Sequence, residues 1–291
     1  MIFIICGPTG SGKTEVAKRF SDYYQAPIIN ADAFQIYQDM NIGTAKIDQS
    51  DPYYSKHYLL DIKKPSESFS VMEYQALFRQ KMRELQEKYA NIIVCGGTGL
   101  YIRASIYDYV FKEEKPQDTS ELEKLNNDEL YSLLESLDIE SARVLHKNNR
   151  KRIIRAILIA QSGNENKSEI INSQEHKLIY GNIKVLMINP NRETLYENIN
   201  QRVDNMFAKG LVDEVKYLLS KYDLSLTAKA AIGYKEVIEY LDGKMSLDDC
   251  KELIKKRTRN YAKRQVTFFK NQFELEMYSS SEELLKKYIG A

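Results

Sequence analysis

No apolar run in this 291-residue chain approaches the ~20 residues needed to cross a bilayer, which excludes a helical membrane span. Cysteine is scarce. Cys6, Cys95 and Cys250 lie far apart and form no CxxC pair, so neither a disulfide framework nor a zinc ribbon is legible. The three histidines, His57, His146 and His176, are just as scattered. The apolar start has no basic region before it and runs directly into glycines, unlike a secretory leader. There is no internal repeat, and no net charge to speak of: 42 basic residues stand against 41 acidic ones. These absences point to a reducing compartment, with the cytoplasm as the expected location and a globular protein as the expected class.

Charge is nevertheless unevenly spread. Between residues 251 and 270 lie Lys251, Lys255, Lys256, Arg257, Arg259, Lys263, Arg264 and Lys270, opposed only by Glu252. Between 143 and 155 lie Arg143, Lys147, Arg150, Lys151, Arg152 and Arg155, with no acid. Two basic segments in a neutral chain are the pattern of a polyanion footprint. On a helix, Lys251, Lys255, Arg259 and Lys263 share one face, while Ile254, Tyr261 and Phe268 recur every seventh residue on a packing face. The plain alternative for such a stripe is a solvated helix surface.

Short apolar runs at 2–6, 27–30, 92–95 and 183–188 alternate with helical stretches at 13–24 and 70–89. This predicts an α/β fold, a parallel sheet flanked by helices on both faces. Further helices are expected over 192–209, 212–221, 229–241 and 246–270, with a last strand at 274–278. The texture changes after Phe111: polar stretches at 112–128 and 162–177 bracket a helical segment at 130–159. A mostly helical insertion domain is therefore expected at 112–182, inside a core formed by 1–111 and 183–291.

Gly7, Pro8, Thr9, Gly10, Ser11, Gly12, Lys13 and Thr14 satisfy the phosphate-loop pattern G-x-x-x-x-G-K-[ST], between a strand and a helix. Backbone amides and the helix N-terminus would cradle a diphosphate or triphosphate, Lys13 would add a point charge, and the Thr14 hydroxyl would ligate Mg2+. The core expected is thus P-loop NTPase-like. The 92–95 strand ends in Gly96-Gly97-Thr98 rather than in the acid of a mechanical ATPase, and no guanine-reading Asn-Lys-x-Asp occurs. Asp32 follows the second strand and so belongs beyond the carboxyl ends of the sheet, where a carboxylate can act as a general base. The same position also suits a helix-capping aspartate, or the base of a small-metabolite kinase.

Several segments together resemble the tRNA dimethylallyltransferases. They are the loop 7–14, Asp32-Ala33-Phe34-Gln35, Ile42-Gly43-Thr44-Ala45-Lys46 and the stretch 57–61. Farther on come Gly96-Gly97-Thr98-Gly99-Leu100-Tyr101, Arg152-Ile153-Ile154-Arg155-Ala156, Arg202-Val203-Asp204-Asn205-Met206 and Gly210-Leu211. Ala231-Ile232-Gly233-Tyr234-Lys235-Glu236 and Thr258-Arg259-Asn260-Tyr261-Ala262-Lys263-Arg264-Gln265 close the set. The resemblance implies that the phosphate loop holds dimethylallyl diphosphate rather than ATP. It implies Asp32 as the base at the exocyclic amine of an adenine beside the anticodon, Thr98 as its orienting partner and Arg202 as the counter-charge of the leaving diphosphate. It places Asp32, Ala33, Phe34, Gln35, Thr98, Lys151, Arg152 and Arg155 at tRNA, and it assigns the Lys255, Arg259, Lys263 stripe to the tRNA backbone. The implied partners are tRNA, through its anticodon stem-loop, and dimethylallyl diphosphate, with Mg2+ as cofactor and a monomer as the working unit.

The sequence departs from the family pattern at Ala33, where a small polar residue is usual, at Asn149, commonly Asp, and at Phe268, frequently Trp. No zinc finger follows, as in the compact bacterial type. Two other readings share the phosphate loop: a small-metabolite kinase, and a nucleotide-switched RNA-binding protein without transfer chemistry.

Overall fold

The structure, a computed structural model, describes residues 1–111, 118–162 and 177–290. It separates into two compact units, Met1–Ile106 with Tyr180–Ala291, and Tyr107–Ile179.

Six strands build the first unit: β1 (Ile2–Cys6), β2 (Ile28–Asn30), β3 (His57–Tyr58), β4 (Ile92–Gly96), β5 (Ile183–Ile188) and β6 (Glu276–Tyr278). They form one sheet in the order β3-β2-β4-β1-β5-β6, and every pairing is parallel. The sequence accounts for this directly. β1 and β4 are buried at all their positions, the continuous apolar signature of a strand covered on both faces. Phe3 and Ile5 of β1 pack with Val16, Ala17 and Phe20 of the Lys13–Tyr24 helix, and Tyr278 and Leu284 close the same cluster. On the opposite side, Tyr74 and Phe78 of the Val71–Gln86 helix are fully buried, and Tyr74 stacks on Tyr101 at 4.3 Å. Each such side chain contributes about 1.5–3 kcal/mol on leaving water. Ser70 and Glu73 start the Val71–Gln86 helix as a reciprocal capping box.

Several elements differ from expectation, among them the final helix Ser281–Ile289, where no helix was expected. The two-residue strand β3 is too short to leave a periodicity in the sequence. The helix expected over 229–241 is two helices, Leu226–Lys229 and Tyr234–Leu241, because Gly233 adopts a positive φ of 99° between them. A helix at Gly99–Ile106 follows β4 directly, with glycine as its first residue.

The second unit comprises the helices Ser120–Lys124, Asn127–Leu137, Ile139–Val144 and Arg150–Gln161. Its core joins Leu130 and Leu134 to Ile153, Ala156 and Ile157. Arg150 donates to the carbonyls of Leu122, Glu123 and Leu125, occupying the unpaired end of the first of these helices. Composition marks a change only after Phe111, yet the unit begins at Tyr107. A bridge pairs Tyr107 with Leu178, and the Asp108 amide donates to the Lys177 carbonyl at 2.9 Å. The middle of the polar stretch expected at 162–177, and residues 112–117 of the other, lie outside the described residues. Leu134→Ala removes a fully buried side chain from this small core and is expected to cost about 2–5 kcal/mol, measured by urea unfolding. No helix among the described residues is long and apolar enough to cross a membrane.

Candidate active site

Because all six strands are parallel, the segments after β1, β2 and β4 emerge on one edge of the sheet. The glycine loop follows β1, Asp32 follows β2 and Gly97-Thr98 follow β4. In sheets of this kind ligands gather at that edge. A cavity of about 320 Å³ lies in the first unit and is lined by Thr9, Lys13, Thr14, Asp32, Phe34, Gln35 and Arg202, among others.

The glycine loop turns through left-handed residues, Gly10 at φ 82° and Gly12 at φ 86°, and Gly12 opens the Lys13–Tyr24 helix. That geometry aims the first amides of the helix into the loop, an arrangement suited to phosphate oxygens. Lys13 folds back so that its Nζ donates to the Pro8 carbonyl at 3.2 Å. Burial draws the Lys13 pKa below its ordinary value; the Arg202 charge acts in the same direction, while Cys95 and Asp32 oppose it. An anion in the cavity would oppose that lowering.

Asp32 sits in a turn held from several sides. Its amide donates to Asn30 Oδ1 at 3.2 Å, and the Ala33 amide donates to Thr98 Oγ1 at 3.0 Å. Asp32 Oδ1 accepts the Phe34 amide at 3.0 Å and the Gln35 amide at 3.4 Å. No helix starts at Asp32, so the helix-capping role raised as an alternative is absent; the carboxylate instead closes a turn, through one oxygen only. Oδ2 takes no part in these bonds, and Asp32 lines the cavity. The turn fixes the carboxylate's position and leaves it an oxygen for chemistry.

Arg202 reaches the cavity from the Arg192–Ala208 helix, and its Nη2 donates to the Thr44 carbonyl at 3.2 Å. Burial lowers its pKa and the Asp32 charge counters that shift. Thr98 lies behind this wall: its amide donates to the Ala31 carbonyl and its hydroxyl holds the Ala33 amide, so it supports the Asp32 turn.

The long helix Leu247–Gln272 supplies residues that the 258–265 motif contained but to which the sequence assigned no role. Gln265 Oε1 accepts the Thr9 amide at 3.0 Å, and its Nε2 donates to the Gly97 carbonyl at 2.9 Å. One buried amide thus ties the glycine loop to the segment after β4. Tyr261 lines the cavity, and burial pushes its phenol up to about 12; the nearby Asp32 charge adds to this. Arg264 also lines the cavity and lies 5.6 Å from the Tyr261 ring centroid. The 258–265 motif, with the seven-residue recurrence of Ile254 and Tyr261, was the available signal.

The basic stripe is engaged within the fold. Lys255 pairs with Asp204 at 2.9 Å, Arg259 donates to Asn200 Oδ1 at 2.6 Å, and Lys251 lies 5.5 Å from the Phe207 ring centroid. These partners all lie on the Arg192–Ala208 helix, so this stretch of the stripe is a seam between two helices. Lys263, farther along, is exposed. In the second unit Lys151, Arg152 and Arg155 are exposed on the Arg150–Gln161 helix, whose opposite face buries Ile153, Ile154 and Ile157.

Among the described residues no group of three His, Cys, Asp or Glu side chains is placed to cage a metal ion. The Thr14 hydroxyl and the Asp32 carboxylate, both on the cavity wall, are hard oxygen donors. One or two such donors, completed by phosphate oxygens and water, is a set that fits Mg2+.

Sheet, glycine loop and cavity describe an α/β protein whose site suits a diphosphate-bearing ligand beside a carboxylate base. The chain belongs to the IPP transferase family, whose model matches residues 35–272. It is 40% identical to a tRNA dimethylallyltransferase of Bacillus licheniformis, over 95% of this chain and 90% of that one. It also resembles the crystal structure of a tRNA delta(2)-isopentenylpyrophosphate transferase from Staphylococcus epidermidis. There the TM-score is 0.70 and identity 35%, covering 98% of this chain and 96% of the other. A eukaryotic dimethylallyltransferase acting on tRNA superposes with a TM-score of 0.81 at 25% identity, over 99% of this chain and 76% of that one.

Proposed function

We propose that this protein transfers a dimethylallyl group from dimethylallyl diphosphate to the exocyclic amine of the adenosine 3′ of the anticodon in tRNA, position 37. The observation that carries the reading is the meeting of the glycine loop, Asp32 and Arg202 around one cavity. The curated relatives and solved structures point to the same chemistry. A small-metabolite kinase would share loop and base, but the family match disfavours it.

The core is read as a P-loop NTPase-like scaffold turned to a diphosphate ester. The amides of Gly10, Gly12, Lys13 and Thr14, together with the Lys13 ammonium, hold the diphosphate, while Arg202 faces the charge that grows as the allylic carbon–oxygen bond breaks. Thr14 would hold Mg2+ together with phosphate oxygens and water, and the ion would supply charge neutralisation to the diphosphate. Asp32 takes the proton from the adenine amine, and Thr98 keeps the Asp32 turn aligned. Ala33, Phe34, Gln35, Arg264 and Lys263 would meet RNA from the core. Lys151, Arg152 and Arg155 would do so from the helical unit. A stacked base is out of reach of the site, so the adenine must leave its stack, as anticodon-loop bases readily do. The protein is read as a cytoplasmic monomer.

The test is incubation of the protein with Mg2+, dimethylallyl diphosphate and an anticodon stem-loop rich in adenines, followed by mass analysis of the nucleosides. An adenosine heavier by one isopentenyl group is expected. An unmodified RNA across several tRNA sequences, together with ATP-dependent phosphorylation of a small alcohol, would instead establish the kinase.

A further inference from the structure

Loop 41–46 forms part of the cavity wall and is held from behind by one carboxylate. Glu214, on the Leu211–Lys221 helix, accepts the Asn41 amide at 3.0 Å and the Ile42 amide at 2.7 Å through Oε2. Through Oε1 it accepts the Gly43 amide at 3.1 Å and the Tyr234 hydroxyl at 2.7 Å. Three successive amides converging on one point form a nest for an anion, and here the protein fills it with its own side chain. The Tyr234 ring lies so close to Gly43 that a Cβ there would fall 2.4 Å from Cε2.

The next residue delivers the consequence. The Thr44 carbonyl accepts Arg202 Nη2 at 3.2 Å and Gln35 Nε2 at 3.2 Å. Thr44 is buried, and its hydroxyl donates to the Met40 carbonyl at 2.7 Å, so the carbonyl direction is fixed by the same loop. A guanidinium carries five N–H donors on a flexible stem; one bond to a fixed carbonyl orients the plane and leaves donors for an anion.

We infer that Glu214, with Tyr234, is a positioning residue that sets loop 41–46 so that the Thr44 carbonyl aims Arg202 at the diphosphate. The inference rests on the reading of Arg202 as the counter-charge of that diphosphate. Glu214 touches no substrate. It acts by preorganising a group that does, which avoids reorganisation when charge develops.

The experiment is a double-mutant cycle read by calorimetric binding of inorganic diphosphate with Mg2+, using the parent, Glu214→Gln, Arg202→Ala and the double variant. A glutamine keeps one acceptor oxygen and turns an NH2 group toward the amides that the carboxylate satisfied. Glu214→Gln is expected to weaken diphosphate binding by about 10- to 100-fold in the parent. It should change binding little once Arg202 is alanine, because the group it positions is gone. Tyr234→Phe, nearly isosteric, removes one of the bonds to Glu214 and should show the same pattern at smaller size; it carries the test should Glu214→Gln fail to fold. Equal losses in both Arg202 backgrounds, or unchanged binding by both variants in the parent, overturn the inference. A parent protein that binds no diphosphate overturns the functional reading, and this inference with it.

Discussion

Asp32→Asn is expected to lower the single-turnover rate of prenyl transfer by about 10²–10⁴-fold while leaving thermal stability and diphosphate binding close to the parent values. The structure makes this substitution unusually clean. The aspartate's structural work goes through Oδ1, which accepts the Phe34 and Gln35 amides. Asparagine keeps an acceptor oxygen there, so the turn survives. It loses the oxygen that can take a proton, because a carboxamide nitrogen is no base. Asp32→Ala, by contrast, removes turn and base together and confounds the two. The measurement is product formation in a rapid-quench experiment, with a melting curve for each variant. A rate within a few-fold of the parent for Asp32→Asn would show that the proton leaves by another route and that Asp32 serves the turn alone.

The second large effect is structural. Gly96 ends β4 against the backbone of Ala31, and a Cβ there would sit 2.2 Å from the Ala31 carbonyl oxygen and 2.3 Å from its carbonyl carbon. Neither atom belongs to a side chain that can swing aside. The two segments are also bonded together: Asn30 pairs with Cys95, the Ala31 amide donates to the Cys95 carbonyl at 2.8 Å, and the Thr98 amide donates to the Ala31 carbonyl at 3.1 Å. Gly96→Ala must therefore part β2 from β4 at the edge of the sheet that carries Asp32. The expected cost is roughly 3 kcal/mol or more, seen as a lowered urea midpoint, with loss of transfer activity in whatever folds. Gly181→Ala is the control, since its Cβ would meet nothing within 4 Å. A Gly96→Ala variant as stable as that control would mean the strand ends separate at little cost.

The glycine loop, the buried strands around it and the Asp32 position were legible in the residue order. Each is a local pattern: a loop that needs left-handed backbone, strands apolar at every position because both faces are covered, and an acid just past a strand end. The resemblance carried further, to Arg202 and to the chemistry, since its motifs run from the glycine loop to the last long helix. What the residue order did not carry were partnerships across the fold. Lys255 and Arg259 form part of a basic stripe in the sequence. In the structure Lys255 pairs with Asp204 and Arg259 donates to the neutral Asn200 amide, because two helices pack with those faces together.

Gln265 ends a matched motif in the sequence with no role attached to it, and its role exists only because Thr9 and Gly97 come to its two ends. Glu214 and the amides of residues 41–43 are more than 170 positions apart along the chain, yet they meet. Periodicity and spacing report which face of an element is buried. A hydrogen bond between distant groups depends on how the elements pack, and only the tertiary structure decides that.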